Sequence, residues 1–565
     1  MFFNKVLLGL LAWQSLKACG AFHIHQPPSP RDTLFSTATP RQLSMSTVNP
    51  PGPSTAALPV FTARTGEVFD WNKQWYPVLA ADHVDPGRAH PVQLLGKNLV
   101  VWRNKEGRWS CFDDRCPHRA APLTEGRIED DGSLLCAYHA WRFDADGKCL
   151  SIPQSDRGGK DEAQPKACAK VYPTQVAQDM IWVWAENGPD AGLESALTPP
   201  HLIPELDDEE GLASGRVVPQ GVQHTDLAYG WDTMIENFVD PAHVPSAHHG
   251  VAGDRYKDVR PIDFELDEEW PVTATSGFRF KFDDEITDTH NKVTFVPPCL
   301  VLVENADYSG TLKLTLYGIP TKPGWSRLVG RQAYVHKYAP KSKEAKALHK
   351  ENKRLGKKTS GLLVAARITS KFPQWLMHAT SGIFLYQDMV FLHHQEKTLA
   401  SVGYDGNSAS SYSNAVYTPA PADRAVMAVR KWIATHGSGG PAWDKDCDPT
   451  LPEREHKREV LFDYYEGHTK TCSTCLRALK NVNRLLAASK TATVVSFTWG
   501  LLRGARAVST PAAVGLRSAG VINAVTARAM LPAVALTLAS LGAVKALEKF
   551  RSLYYTYSFH HQDNP

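Results

Sequence analysis

The chain has 565 residues, 43% hydrophobic and 21% charged, enough for about two to four domains with a sizeable core. A formal net charge of +3 is too weak a bias for a nucleic-acid binder. The ten cysteines are mostly scattered, with two close pairs, Cys111/Cys116 and Cys472/Cys475, which argues against a secreted disulfide scaffold and for metal or redox roles.

At the N-terminus, Lys5 precedes an apolar run over residues 6–13, and the small residues Ala18, Cys19 and Gly20 follow, the layout of a signal peptide. The run is too short for a membrane span. Residues 22–65 are rich in Ser, Thr and Pro, and Asp32 is their only acid against Arg31, Arg41 and Arg64, as in a transit peptide. Residues 1–65 together resemble a bipartite plastid-targeting presequence of the type found in algae with secondary plastids, and no fold is expected there.

Order is expected from about Phe69. Residues 66–190 read as an all-β domain: runs such as 99–102 and 180–184 are aliphatic and aromatic, and turns such as Asp130-Asp131-Gly132 and Asp146-Gly147 separate them. A connector rich in Pro and acids spans residues 189–210. Residues 200–470 read as a mixed α+β domain, with a helical stretch over 229–248 and strand-like runs at 313–317 and 383–392, the latter interrupted by Asp388. Residues 337–358 carry nine Lys/Arg and two Glu, the composition of a solvated helix or loop. A linker over 471–490 holds Cys472 and Cys475.

The tail, 491–565, is apolar and rich in small residues. Residues 518–544 hold Arg528 as their only charge, whereas the uncharged run 491–502 is short for a span. One membrane helix near 528–544 is expected, with a weaker partner before it that pairs as a hairpin. Arg503, Arg506 and Arg517 interrupt the pattern, so a buried helical pair is the alternative. The fold class is α+β: an all-β domain, a mixed α+β domain and a hydrophobic helical tail.

Within the β domain, Cys116-Pro117-His118 is followed after seventeen residues by Cys136-Ala137-Tyr138-His139. Two thiolates on one iron and two neutral imidazoles on a second make a [2Fe–2S] cluster of raised potential. One ligand of each type in each loop pins both irons between the loops. A Cys2His2 zinc finger would instead group its cysteines and its histidines separately. Cys111 has no place in the pattern and reads as a buried structural thiol.

The second domain contains the block Asn237 to His249, with His243 and His248 as a pair of imidazoles. Two His and a carboxylate on one face of a metal leave positions open for O2 and substrate. On a regular helix, five residues turn by about 500°, which would part the rings. Pro241 and Pro245 break regular helix here and let the rings converge. His249 competes with His248. Asp388 is the best third ligand, because an ionised carboxylate inside an apolar run needs a cation or an ion pair. Asp240, three residues before His243, is suited to orient that ring and to bridge to a cluster histidine, with Asn237 one turn further back.

These residues resemble the Rieske non-haem iron oxygenases and, within them, the plastid branch of pheophorbide a oxygenase and chlorophyllide a oxygenase. The likeness rests on Trp75-Tyr76-Pro77, residues 91–96, the cluster motif, Tyr229-Gly230-Trp231-Asp232, the Asn237 block, Gln387-Asp388-Met389 and Cys472-Ser473-Thr474-Cys475. It implies cluster ligands Cys116, His118, Cys136 and His139, iron ligands His243, His248 and Asp388, and Asp240 as a bridge that crosses between subunits of a homotrimer. Ala140 departs from the glycine usual in the family. The implied activity is a monooxygenase in a plastid membrane, envelope or thylakoid, that takes electrons from reduced ferredoxin and uses O2 on a chlorophyll-derived tetrapyrrole. The rival function is a redox-sensing component of a plastid protein-import complex. Cys472 and Cys475 look like the paired cysteines of this branch. They suit thioredoxin control, or half of a zinc site with His468 and a distant partner.

Overall fold

The computed structural model describes residues 67–357, 360–404, 409–509 and 519–557. The expected presequence lies outside them. The first region consists of β1 (Trp75–Ala80), β2 (His90–Leu94), β3 (Lys97–Arg103), β4 (Trp109–Asp113), β5 (Arg127–Ile128), β6 (Leu134–Leu135), β7 (Arg142–Phe143), β8 (Cys149–Ser151), β9 (Val171–Tyr172), β10 (Thr174–Ala177) and β11 (Met180–Trp184). They form three sheets, ordered β1-β11-β10, β2-β3-β4-β9 and β5-β6-β7-β8. All residues of β1 and β11 are buried, so neither strand alternates in polarity. Cys111 lies fully buried in β4.

The β2–β3 turn, Leu95-Gly96, has positive φ at both residues, 51° and 79°, which matches the twist of the flanking strands. Its tip is held by the second region. Leu95 N–H donates to Pro320 O (2.8 Å), Gly96 N–H to Thr321 O (2.7 Å), and Leu95 O accepts from Asp444 N–H (2.8 Å). A Cβ on Gly96 would fall 2.6 Å from Cys447 Cβ, so a side chain there would force the two regions apart.

The second region is built on β12 (Val217–Pro219), β13 (Gln223–Leu227), β14 (Glu265–Leu266), β15 (Phe278–Asp284), β16 (Thr289–Val296), β17 (Leu300–Asp307), β18 (Gly310–Lys322) and β19 (Trp325–His336). They make one eight-stranded antiparallel sheet, ordered β12-β19-β18-β17-β16-β15-β14, with β13 also paired to β19. The run 313–317 lies in β18, as its composition suggests. The basic segment contains a helix, Lys343–Arg354, whose residues are mostly exposed or half-buried. The connector is partly helical, at Ala191–Leu197.

Four further helices position the chemistry: α1 (Trp231–Val239), α2 (Val244–Ala247), α3 (Gln374–Ser401) and α4 (Asp423–Thr435). Residues 383–392, expected as a strand, lie inside α3. A short apolar run cannot be told from a buried helix by periodicity. Here α3 buries apolar and polar residues together, including Tyr386, Gln387, Asp388, Met389 and Glu396, which erases the helical stripe.

The start of α1 is capped by Glu396, whose Oε1 accepts from Gly230 N–H at 2.9 Å. Arg430 on α4, fully buried, donates to Glu236 Oε2 (2.9 Å) and Asp232 Oδ2 (2.5 Å) on α1. The Tyr404 and Tyr412 rings face its guanidinium at 5.0 and 4.7 Å. A buried guanidinium paired in this way fixes the helix rotation, because any displacement leaves a charge unpaired. The two regions share a core in which Trp71 meets Trp231 edge-on at 4.9 Å and Phe69 meets Trp432 at 5.4 Å.

Two long helices, α5 (Ser473–Val508) and α6 (Ala519–Ser552), close the described chain and pack against each other. The segment expected as a linker is helical from Ser473 and runs straight into this hairpin. Gly500 approaches Ala533, and Gly504 approaches Met530, so closely that a Cβ on either would crowd the partner. Thr493 bonds Ser540 and Ser496 bonds Thr537, both at 2.9 Å. Small residues four apart with polar pairs between helices are how apolar helices associate in lipid. Both helices are long and apolar enough to cross a membrane, and Phe497, Leu501, Leu536 and Leu538 are exposed along them.

Candidate metal centres

The two cluster loops have one geometry used twice. Cys116 N–H donates to Ala121 O (2.8 Å) and Ala120 N–H to Cys116 O (2.9 Å). Cys136 N–H donates to Trp141 O (2.8 Å) and Ala140 N–H to Cys136 O (3.0 Å). Each loop turns through a left-handed alanine, Ala120 (φ 58°) and Ala140 (φ 59°). Both cysteines are buried in a small core with Val100, Trp102, Leu123, Leu134 and Phe143, while His118 is exposed and His139 half-buried. The imidazoles lie 4.5 Å apart, and Trp141 stacks on His118 at 4.7 Å. Burial pushes the Cys116 thiol up to about 12, so a thiolate there requires a nearby cation. The four donors do not crowd within 4.8 Å of one another, as those of two other groups among the described residues do. That spread suits a two-iron unit held between the loops better than a single ion.

The alanine at 140 carries a measurable cost, since an L-residue in the left-handed region is strained and glycine is not. Ala140→Gly should stabilise the domain by about 0.5 to 1 kcal/mol, net of the extra unfolded-chain entropy. Heating the holoprotein while following the visible absorbance of the cluster should show a raised midpoint. An unchanged or lowered midpoint would mean that the alanine methyl makes a compensating contact.

The second centre forms where α1 stops. Pro241 disfavours helical geometry at the residue before it, and Asp240 is extended (φ −104°, ψ 98°). The chain then turns through His243 into the short α2, and the His243 and His248 rings come to 5.5 Å. From α3, Asp388 Oδ2 lies 3.7 Å from His243 Nε2 and 3.3 Å from His248 Nε2. These three donors form one of the two convergent groups. Asp388 is buried, and among the described residues its ion-pair partners are these two rings, with no Lys or Arg. A buried carboxylate between two imidazoles is a donor set for a divalent cation. His249 faces elsewhere: its Nδ1 accepts from Arg255 N–H at 3.0 Å.

A hydrogen bond to the residue beside Asp388 fixes the tautomer of His248. His248 Nδ1–H donates to Gln387 Oε1 at 2.8 Å, which leaves Nε2 free to ligate. Sequence reasoning did not assign Gln387 a role, although it sits beside Asp388. Asn237 Nδ2 is 3.3 Å from His243 Nε2. Asp240 Oδ2 lies 3.5 Å from His243 Nδ1, and its Oδ1 accepts from Ala242 N–H at 2.8 Å. Burial opposes a charge on His243, but the Asp240 and Asp388 carboxylates outweigh it and hold the ring above its usual pKa. Among the described residues of one chain, neither His118 nor His139 bonds to Asp240.

The second convergent group is formed by His378, His468, Cys472 and Cys475, all buried. It brings the expected cysteine pair and His468 together with a histidine from α3.

Comparison with known proteins finds two family domains in the chain. A Rieske [2Fe–2S] domain matches residues 74–173, which include all four cluster candidates, and a pheophorbide a oxygenase domain matches residues 295–405, which include Asp388. Pheophorbide a oxygenase of Oryza sativa subsp. japonica is 32% identical, over 85% of each chain. Flavonoid 8-hydroxylase 2 of Ocimum basilicum is 31% identical, over 74% of this chain and 75% of that one. Protein TIC 55 of Arabidopsis thaliana is 29% identical, over 66% and 61%. The chain therefore belongs to the pheophorbide a oxygenase family of Rieske-type non-haem iron oxygenases.

Proposed function

We propose that this enzyme is a membrane-bound plastid monooxygenase that oxygenates a chlorophyll-derived tetrapyrrole with O2 and electrons from reduced ferredoxin. The convergence of His243, His248 and Asp388, in a chain alignable over most of its length with a pheophorbide a oxygenase, carries this reading. Cys116, His118, Cys136 and His139 hold the cluster, and His243, His248 and Asp388 hold a mononuclear iron. Bound there, ferrous iron supplies O2 activation.

The chain's own residues do the rest. Gln387 orients the His248 imidazole, the Asp240 carboxylate stands 3.5 Å from His243 Nδ1 where it can draw that ring's proton, and Asn237 would give up its contact with His243 Nε2 when the metal binds. His118 presents the cluster edge to solvent, where a donor protein can reach it. In a homotrimer, Asp240 would join His243 to a cluster histidine of the next subunit. Phe384, 42% exposed and 5.3 Å from the His248 ring, offers an apolar face on which a large planar substrate can lie. The α5–α6 hairpin anchors the protein in an envelope or thylakoid membrane, where such substrates partition.

Anaerobic reconstitution followed by turnover under 18O2 tests this. Reduced protein should show a Rieske electron paramagnetic resonance signal, and one member of a panel of pheophorbide, chlorophyllide and flavone should gain one 18O atom. A labelled tetrapyrrole supports the reading. Labelling of the flavone alone would assign the enzyme to a hydroxylase function, and a reducible cluster with no labelled product would favour a redox-sensing component of an import complex.

A further inference from the structure

We propose that His378, His468, Cys472 and Cys475 form a structural zinc site at the root of the C-terminal hairpin, separate from both iron centres. The four come from three places: His378 from the first turns of α3, His468 from the turn Tyr465–Thr469, and the cysteines from the start of α5. All four are essentially inaccessible, at 0–1% exposure.

The distances are those of a tetrahedron. Zinc holds sulfur at about 2.3 Å and nitrogen at about 2.0 Å, so its ligand atoms stand roughly 3.3 to 3.8 Å apart. Here Cys472 Sγ is 3.5 Å from His378 Nδ1, Cys475 Sγ is 3.6 Å from the same nitrogen, and Cys475 Sγ is 3.3 Å from His468 Nε2. Every donor atom lies within 4.8 Å of every other. Two sulfurs and two imidazole nitrogens around one point suit a closed, four-coordinate zinc site with no open position.

The surroundings are those of ligands already oriented. His468 Nδ1–H donates to His224 O at 2.5 Å, which leaves Nε2 unprotonated and facing the sulfurs. Gln374 Nε2 lies 2.9 Å from His378 Nε2, on the ring edge away from the sulfurs, and with the amide turned over its oxygen would accept the ring proton there and leave Nδ1 to ligate. Cys475 N–H donates to Cys472 Sγ at 3.4 Å, a bond that favours a thiolate.

Position gives the site its role. His224 belongs to β13, and its Nε2 lies 3.0 Å from Thr471 Oγ1. His83, just after β1, packs edge-on against His378 at 4.8 Å and reaches Thr474 at 3.0 Å. The returning end of α6 closes over the site with the buried Tyr554. One ion would thus tie the hairpin root to the helix that carries Asp388 and to both β regions. A thioredoxin-controlled dithiol needs a sulfur that a partner can reach, and neither sulfur is reachable here.

The test uses full-length, detergent-solubilised holoprotein, purified without a metal-binding tag or chelator. Elemental analysis should give about one zinc per chain besides iron, and zinc K-edge absorption should show about two sulfurs at 2.3 Å and two nitrogens at 2.0 Å. Cys475→Ala should lower zinc more than tenfold. If that variant does not accumulate, the wild-type spectrum still decides. Zinc absent, zinc bound by nitrogen and oxygen alone, or a Cys472–Cys475 disulfide in the isolated protein would each overturn the proposal. None of these outcomes depends on turnover, so failure here is distinct from failure of the tetrapyrrole reading.

Discussion

Asp388→Ala is expected to abolish oxygenation while leaving the cluster spectrum intact. Asp388 supplies the carboxylate facing both imidazoles, at 3.3 and 3.7 Å. Without it the site keeps two neutral nitrogens and loses its negative charge, so a divalent cation is no longer retained. Metal-ion catalysis is worth several kcal/mol, so its loss corresponds to a rate drop of about 10³-fold or more. The cluster loops fold around a separate core, so their two irons and two sulfides should remain. The measurements are iron and sulfide per chain, the reduced electron paramagnetic resonance signal and product formation. Retained turnover would assign the third ligand to another acid. Loss of the cluster as well would make Asp388 a structural residue.

Asp240→Asn is expected to spare both metal centres and to slow electron transfer between them. The local job of Asp240 is to accept Ala242 N–H through Oδ1, which an asparagine oxygen does equally well. The turn after α1 should therefore persist. What the substitution removes is the charge and the second acceptor, Oδ2, which faces His243 Nδ1 and, in the proposed trimer, a cluster histidine of the next subunit. Outer-shell partners of metal ligands are typically worth 10- to 100-fold in activity, and a residue on the proposed route between the metals should lie at the upper end, about 100-fold. Single-turnover reoxidation of the cluster, with substrate and O2 present, reads this step directly. Near-native reoxidation in a fully metallated variant would eliminate the bridge and leave Asp240 as a turn-forming residue.

The cluster loops were legible because their information is local. Two mixed Cys/His loops, seventeen residues apart, admit few chemistries, and the observed loops need only their own backbone bonds to take shape. The break after α1 was legible for the same reason: Pro241 acts on its immediate neighbour, and the rings of His243 and His248 meet once the helix stops. Asp388 was singled out as a candidate ligand from the cost of burying an acid, although its segment was assigned the wrong element. The energetic argument holds on either a strand or a helix, whereas the periodicity argument fails for a helix buried on several sides.

What the sequence alone determined was a set of short-range facts: the donor types, the spacing within each loop, the helix stop and the apolar tail. Which distant residues meet was decided by tertiary structure. His378 stands 94 positions before Cys472 and reaches it because α3 packs against α5. Gln387 orients His248 from 139 positions away. Leu95-Gly96 is a plain hairpin turn in sequence and becomes an inter-region clasp through Pro320, Thr321 and Asp444. Such contacts leave no local trace, because nothing in the neighbouring residues of either partner encodes where the chain returns. They exist only once burial of the shared core has outweighed the entropy of closing those long loops.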